Sequence, residues 1–97
     1  MKVLRIDQRA RREAKEAAEK YAECGRALAA RFGDELLAAF SFAAANPNFC
    51  PPYLHGTRRT FLKKFPYFVV FLDWQDEIFI VAVAHAKRHE GYWWRRV

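Results

Sequence analysis

Residues 78–97 read IFIVAVAHAKRHEGYWWRRV, an apolar run that gives way abruptly to a basic and aromatic tail. The seven residues from Ile78 to Ala84 are too few to span a bilayer, and their β-branched and aromatic content suits a strand buried on both faces. Such a strand needs neighbours. Tyr67–Asp73 (YFVVFLD) supplies one: Tyr67, Val69 and Phe71 share one face, while Phe68, Val70 and Leu72 share the other. The polar connection from Asp73 to Glu77, around Trp74, predicts that Ile78–Ala84 returns antiparallel to it. Pro66 has no amide donor and marks the turn before this hairpin. Upstream, Thr57–Phe65 is expected as a less buried strand with a basic rim. Thr57, Arg59, Phe61 and Lys63 alternate there with Arg58, Thr60, Leu62 and Lys64.

Further towards the N-terminus, Phe49–Gly56 (FCPPYLHG) is a connecting loop, with Phe49 and Tyr53 pinning it to the core edge. Leu28, Phe32, Leu36, Phe40 and Ala43 or Ala44 predict a helix over Arg26–Ala45, stopped by Asn46 and Pro47. Gly33 inside it costs roughly 1 kcal/mol relative to alanine, which packing must offset. A preceding helix runs from an Asp7 cap to Cys24, its inward stripe formed by Ala10, Ala14, Ala17, Tyr21 and Cys24. Gly25 is expected to end it in the left-handed conformation. The outer face spaces Arg9 with Glu13, Arg12 with Glu16, Lys15 with Glu19 and Glu16 with Lys20 four apart. Each such pair is worth only about 0.2–0.5 kcal/mol, which suits a solvated surface. Lys2–Ile6 reads as a short first strand.

The expected fold is therefore α+β, with an N-terminal helical hairpin packed on one face of a small antiparallel β-sheet. The 97 residues form a single domain, with the hairpin at about 7–45 and the sheet and basic-aromatic tail at about 57–97. Two helices cover only one sheet face, yet both central strands are apolar on both. The tail Gly91–Val97 and a partner protein are expected to cover the second.

The formal charge is +6, and the second half is the more basic: residues 49–97 carry eight Lys/Arg against four Asp/Glu. The N-terminus has no apolar core of a signal peptide, so a cytoplasmic protein without membrane attachment is expected. Cys24 and Cys50 have no CxxC spacing and are expected as free thiols. No motif calls for a metal or a cofactor. What remains is a set of cations and aromatic rings at the sheet ends: Arg58, Arg59, Lys63 and Lys64, then His85, Lys87, Arg88 and His89, then Tyr92, Trp93, Trp94, Arg95 and Arg96. Such groups grip phosphates while rings stack on bases, or grip an acidic protein segment, or simply confer solubility.

The order of a helical hairpin, an exit at Asn46-Pro47-Asn48-Phe49-Cys50-Pro51-Pro52, a strand with Arg58-Arg59, an FPY turn at Phe65–Tyr67 and VAVAHAKRHEGYWWRR at Val81–Arg96 resembles the RelE/ParE superfamily. The likeness runs over nearly the whole chain. It implies the toxin of a type II toxin–antitoxin module, in a hetero-oligomer with a cognate antitoxin that covers exposed apolar surface.

RelE-like members cleave mRNA on the ribosome, with cations and sometimes His, Glu or Tyr acting on the ribose 2′-OH and the phosphorane. ParE-like members poison DNA gyrase. Under the ribonuclease alternative the resemblance makes Arg88, Tyr92 and His85 the catalytic candidates. Arg58, Arg59, Lys63, Lys64, Lys87, Arg88, Trp93 and Arg95 are the candidates for contact with nucleic acid or target under either reading. Phe68 departs from the ribonuclease pattern, because it falls where many of those enzymes place an arginine early in the strand after the turn. Loss of one such donor costs about 10²- to 10³-fold in rate. The departure favours the gyrase-directed reading, with mRNA cleavage and an inactive antitoxin-binding module as alternatives.

Overall fold

The computed structural model describes residues 1–97. Strand β1 (Val3–Ile6) leads into helices α1 (Gln8–Cys24) and α2 (Arg26–Ala45), followed by β2 (Arg58–Phe61), β3 (Tyr67–Trp74) and β4 (Glu77–His85). Short 3₁₀ turns occupy Pro47–Phe49, Leu54–Gly56 and Trp94–Arg96. The sheet order is β1-β4-β3-β2, so the two apolar strands are central. β2, β3 and β4 are antiparallel, whereas β1 joins β4 in parallel, from Val3 opposite Glu77 to Ile6 opposite Ile80. The helical hairpin between them makes that crossover possible.

Local chemistry sets the helix ends. The Asp7 carboxylate accepts the Arg9 backbone N–H at 2.8 Å and so satisfies one free donor of the first turn of α1. Between the helices Gly25 has φ 154° and ψ 144°, a backbone that side chains disfavour but not the left-handed helical cap expected from its position. Ala10, Ala17 and Ala43 are almost completely buried. Their small side chains let α1 and α2 lie close to each other and to β4. At the far end Tyr21, Phe32, Phe65 and Tyr67 form an aromatic cluster, with Tyr21–Phe65 centroids at 4.8 Å and Phe32–Tyr67 at 5.3 Å. Each pair adds about 0.5–1.5 kcal/mol beyond the area it buries.

A bulge in β4 redistributes the faces. Val70 pairs with Ala82 but Phe71 with Ile80, which leaves Val81 as an extra residue. Ile78, Ile80 and Val83 therefore point to the helices, and Val81, Ala82 and Ala84 to the second face. The second face is covered by the chain's own tail and loop. Trp93, 1% exposed, lies with Tyr53, Leu54 and Tyr92 over Phe68, Val70 and Ala84. Leu72 and Phe79, nearer the β3–β4 turn, stay half-buried.

Two further sequence expectations need correction. β2 ends at Phe61, not Phe65: Lys63 and Lys64 lie in a bend whose backbone N–H groups both donate to Glu35 Oε1, at 2.8 and 3.1 Å. A helix carboxylate thus takes donors that a longer strand would have kept. None of the four expected helical ion pairs forms. Arg9 pairs with Asp7 instead, and Glu13 turns inward.

Candidate functional site

At the end of the sheet opposite the β3–β4 turn lies a small cleft of about 70 Å³. β2 contributes Arg59, the end of β4 contributes His85, and the turn that follows contributes Arg88 and His89. Tyr53 and Phe68 form its apolar wall together with Tyr92 and Trp93.

Arg59 is the most enclosed cation of the cleft. Its guanidinium carbon lies 3.9 Å from the centre of the Tyr53 ring, 4.9 Å from Phe61 and 5.1 Å from Phe68. The alternation of β2 puts Arg59 and Phe61 on the second sheet face, and Phe61 stands opposite Phe68. Phe68 is buried there and is part of the packing that holds Arg59. Burial pushes the Tyr53 hydroxyl pKa up, against the opposing pull of Arg59.

Arg88 lies 3.8 Å over the Tyr92 ring and leaves its side chain 54% exposed. His85 packs edge-on against Tyr67, with centroids 4.9 Å apart, and its Nδ1 accepts the Lys87 backbone N–H at 3.0 Å. That bond fixes the ring at the strand end and makes Nδ1 an acceptor rather than a donor.

Beneath the cleft is a network that the sequence did not disclose. Glu13 of α1, with only 9% of its side chain exposed, accepts the Tyr92 hydroxyl at 2.5 Å and both terminal nitrogens of Arg96 at 2.9 and 3.1 Å. It also accepts the Val83 backbone N–H at 3.1 Å, while Arg96 donates to the Val81 carbonyl at 3.1 Å. β1 stops pairing at Ile80, so these are edge groups of β4 with no strand beside them. Two side chains complete the ladder instead. Burial, followed by the Glu13 hydrogen bond, pushes the Tyr92 hydroxyl far above the ordinary tyrosine range. In this geometry the Tyr92 hydroxyl is the donor and the Glu13 carboxylate the acceptor.

The fold thus gathers Arg59, His85, Arg88, Tyr92 and Trp93 from the candidate residues, and leaves the others apart. Arg58 faces the helix side and donates to the Cys50 carbonyl at 2.7 Å. Lys63 borders a separate groove with Asp34, Ala38 and Phe42 of α2, and Lys64 is exposed beside it in the bend. Lys87 is exposed in the turn after β4, and Arg95 lies 5.2 Å from the centre of the exposed Trp94 ring. Both cysteines are free, Cys24 exposed and Cys50 buried. Glu13 and Arg96 escape sequence reasoning as a pair. The available signal is position: Glu13 lies three residues after Ala10 and four before Ala17, at the margin of the inward stripe.

The cleft brings two arginines and two histidines together, with Glu90 also in its lining. No helix is long and apolar enough to cross a membrane. A search of curated proteins returned no match. Among solved structures the chain is similar to one described as the chromosomal ParDE TA system from P. aeruginosa. That likeness has a TM-score of 0.78 at 18% identity and covers 90% of this chain and 98% of the other. At that identity it establishes the fold: two helices on a mostly antiparallel four-stranded sheet. Residues 4–90 match the family model described as ParE toxin of type II toxin–antitoxin system, parDE, and the chain belongs to this ParE toxin family.

Proposed function

We propose that the chain is a cytoplasmic growth inhibitor that acts on DNA gyrase in the ParE manner and is neutralised by a cognate antitoxin. An antitoxin partner follows from membership of a toxin–antitoxin family; the target is the further step. The observation that carries it is the state of Tyr92. Its hydroxyl is committed to the buried Glu13 carboxylate, and its raised pKa keeps it from taking a proton from a ribose hydroxyl. Phe68, packed under Arg59, further reduces the fixed positive charge that a metal-independent ribonuclease uses. Arg59, Arg88 and the exposed Arg95 then serve as a binding surface for an acidic target or for DNA held by it.

The reading is tested by purified gyrase and relaxed plasmid. Supercoiling falls, and cleaved DNA accumulates, as the chain is added. Normal supercoiling at saturating protein rejects it. The ribonuclease alternative keeps one point in its favour, since His85 and Arg88 share the cleft with Arg59. Pulse-labelling after induction separates the two: DNA synthesis stops first under the gyrase reading, protein synthesis first under the alternative. Unimpaired growth in cells lacking the antitoxin identifies an inactive binding module.

A further inference from the structure

Tail residues 91–97 would not hold a shape by themselves. Their only regular structure is the single turn Trp94–Arg96, and Trp94, Arg95 and Val97 are exposed or partly so. Trp93 anchors one end in the second-face core, and Glu13 anchors the other through Arg96 and Tyr92. The anchor is unusual in its origin: Glu13 is on α1, 83 residues before Arg96 in sequence. It is also shared, because the same carboxylate accepts from β4 at Val83 and from Arg88 at 3.4 Å. One buried acid therefore fixes the sheet edge, the cleft arginine and the tail in a single arrangement. A bidentate arginine–carboxylate pair adds orientation as well as energy, since its two parallel bonds fix the plane of the guanidinium.

We propose that Glu13 is a positioning residue, which through Arg96 and Tyr92 sets the basic-aromatic tail and Arg88 in the geometry that the target recognises. That the tail meets the target rests on the function proposed above; that Glu13 sets the tail does not. Glu13 itself touches no target. Its effect is to convert a segment with little structure of its own into a rigid wall of the cleft, so that the ordering is complete before binding.

The test uses the full chain and three variants: Glu13→Gln, Glu13→Arg, and the exchange Glu13→Arg with Arg96→Glu. Glutamine keeps an oxygen for the Val83 N–H but removes the charge that holds Arg96. Hydrogen exchange at Trp94–Arg96 should accelerate about 10- to 100-fold in Glu13→Gln, the range for losing a charged hydrogen bond. Exchange at Ala43 and Ala44, in the α2 core, should stay within about twofold, because these amides open only with larger parts of the fold. Growth inhibition should weaken in parallel. In the exchanged pair the carboxylate, now on the tail, can accept from the Val83 N–H, and the guanidinium, now on α1, can donate to the Val81 carbonyl. Protection and growth inhibition should then both recover relative to Glu13→Arg alone.

Unchanged tail exchange in Glu13→Gln overturns the proposal. So does equal acceleration in α2, which marks a purely structural loss, or full growth inhibition by a variant whose tail has been freed. If the wild-type chain itself inhibits nothing, the functional reading fails, and the exchange ratio alone decides whether Glu13 sets the tail.

Discussion

The guanidinium of Arg59 lies 5.1 Å from the centre of the Phe68 ring, on the face of the sheet turned away from the helices. The Phe68 ring is part of the packing that holds this cation, and an arginine in its place should destabilise the fold. Phe68→Arg would bury a second cation beside Arg59 and remove the ring's packing, at about 3–5 kcal/mol. For a domain of this size the thermal midpoint should fall by more than about 12 °C. Melting followed by circular dichroism checks this, and a variant as stable as the wild type would show that Phe68 does not pack as described.

Arg59→Ala separates binding from stability. The cation sits against three rings, so its removal should cost about 0.5–2 kcal/mol of stability. Growth inhibition should fall much further than that small loss explains. Arg59→Lys should recover little, because an ammonium lacks the planar surface that lies on Tyr53. Titrated induction, with soluble protein measured in parallel, distinguishes lost potency from lost protein.

Tyr92→Phe removes a hydroxyl whose role is structural. The variant should lose about 1.5–3 kcal/mol, the worth of a hydrogen bond to a charged group. The urea midpoint should fall with the slope unchanged. Where the variant remains folded, it should inhibit growth at least as well as Glu13→Gln, because the Arg96–Glu13 pair still holds the tail. Complete loss of inhibition by a folded Tyr92→Phe whose tail exchange is unchanged would favour a catalytic tyrosine.

The four tyrosines make the protein sensitive to base. Burial is the leading cause of a raised pKa at Tyr21, Tyr53, Tyr67 and Tyr92. In the unfolded chain they ionise near the ordinary value of about 10. Below that pH both states keep the proton, and the stability is fully present. Above it the unfolded state releases protons that the folded state retains, so stability falls as pH rises. Phenolate absorbance should therefore lag behind that of free tyrosine and then rise together with loss of the helical signal. Independent titration of all four near the ordinary value, with the fold intact, would contradict this.

Gln75, in the turn between β3 and β4, has φ 50°. A non-glycine residue there is strained, and Gln75→Gly should stabilise the protein by about 0.5–1 kcal/mol. The expected gain is about 2–8 °C in the thermal midpoint. A lower midpoint would show that the glutamine side chain makes a compensating contact.

Much of the architecture is legible in the sequence because it rests on local periodicity. The stripe from Leu28 to Phe40, the two-faced apolar pattern of Tyr67–Leu72 and the stop at Asn46-Pro47 each depend on residues within one turn or one pleat. They define the hairpin, the central strands and the order of elements. The candidate site is legible only in part. Arg59, His85, Arg88 and Tyr92 line one cleft, but Arg58 lies on the opposite face, and Lys63 and Lys64 fall beyond the end of the strand that their alternation suggests. The bend that ends it depends on Glu35, a residue 28 positions before Lys63.

Glu13 marks the boundary between the two kinds of information. By itself the sequence determined that α1 is an amphipathic helix and that the chain ends in cations and rings, since helix period and residue type are properties of short segments. Only the tertiary structure decided that Glu13 leaves the solvated face for a buried pair with Arg96. That choice follows from β1 stopping at Ile80 and from the bulge at Val81. Together they leave an N–H and a carbonyl on the β4 edge, and a buried edge group must find a partner wherever the fold brings one within reach.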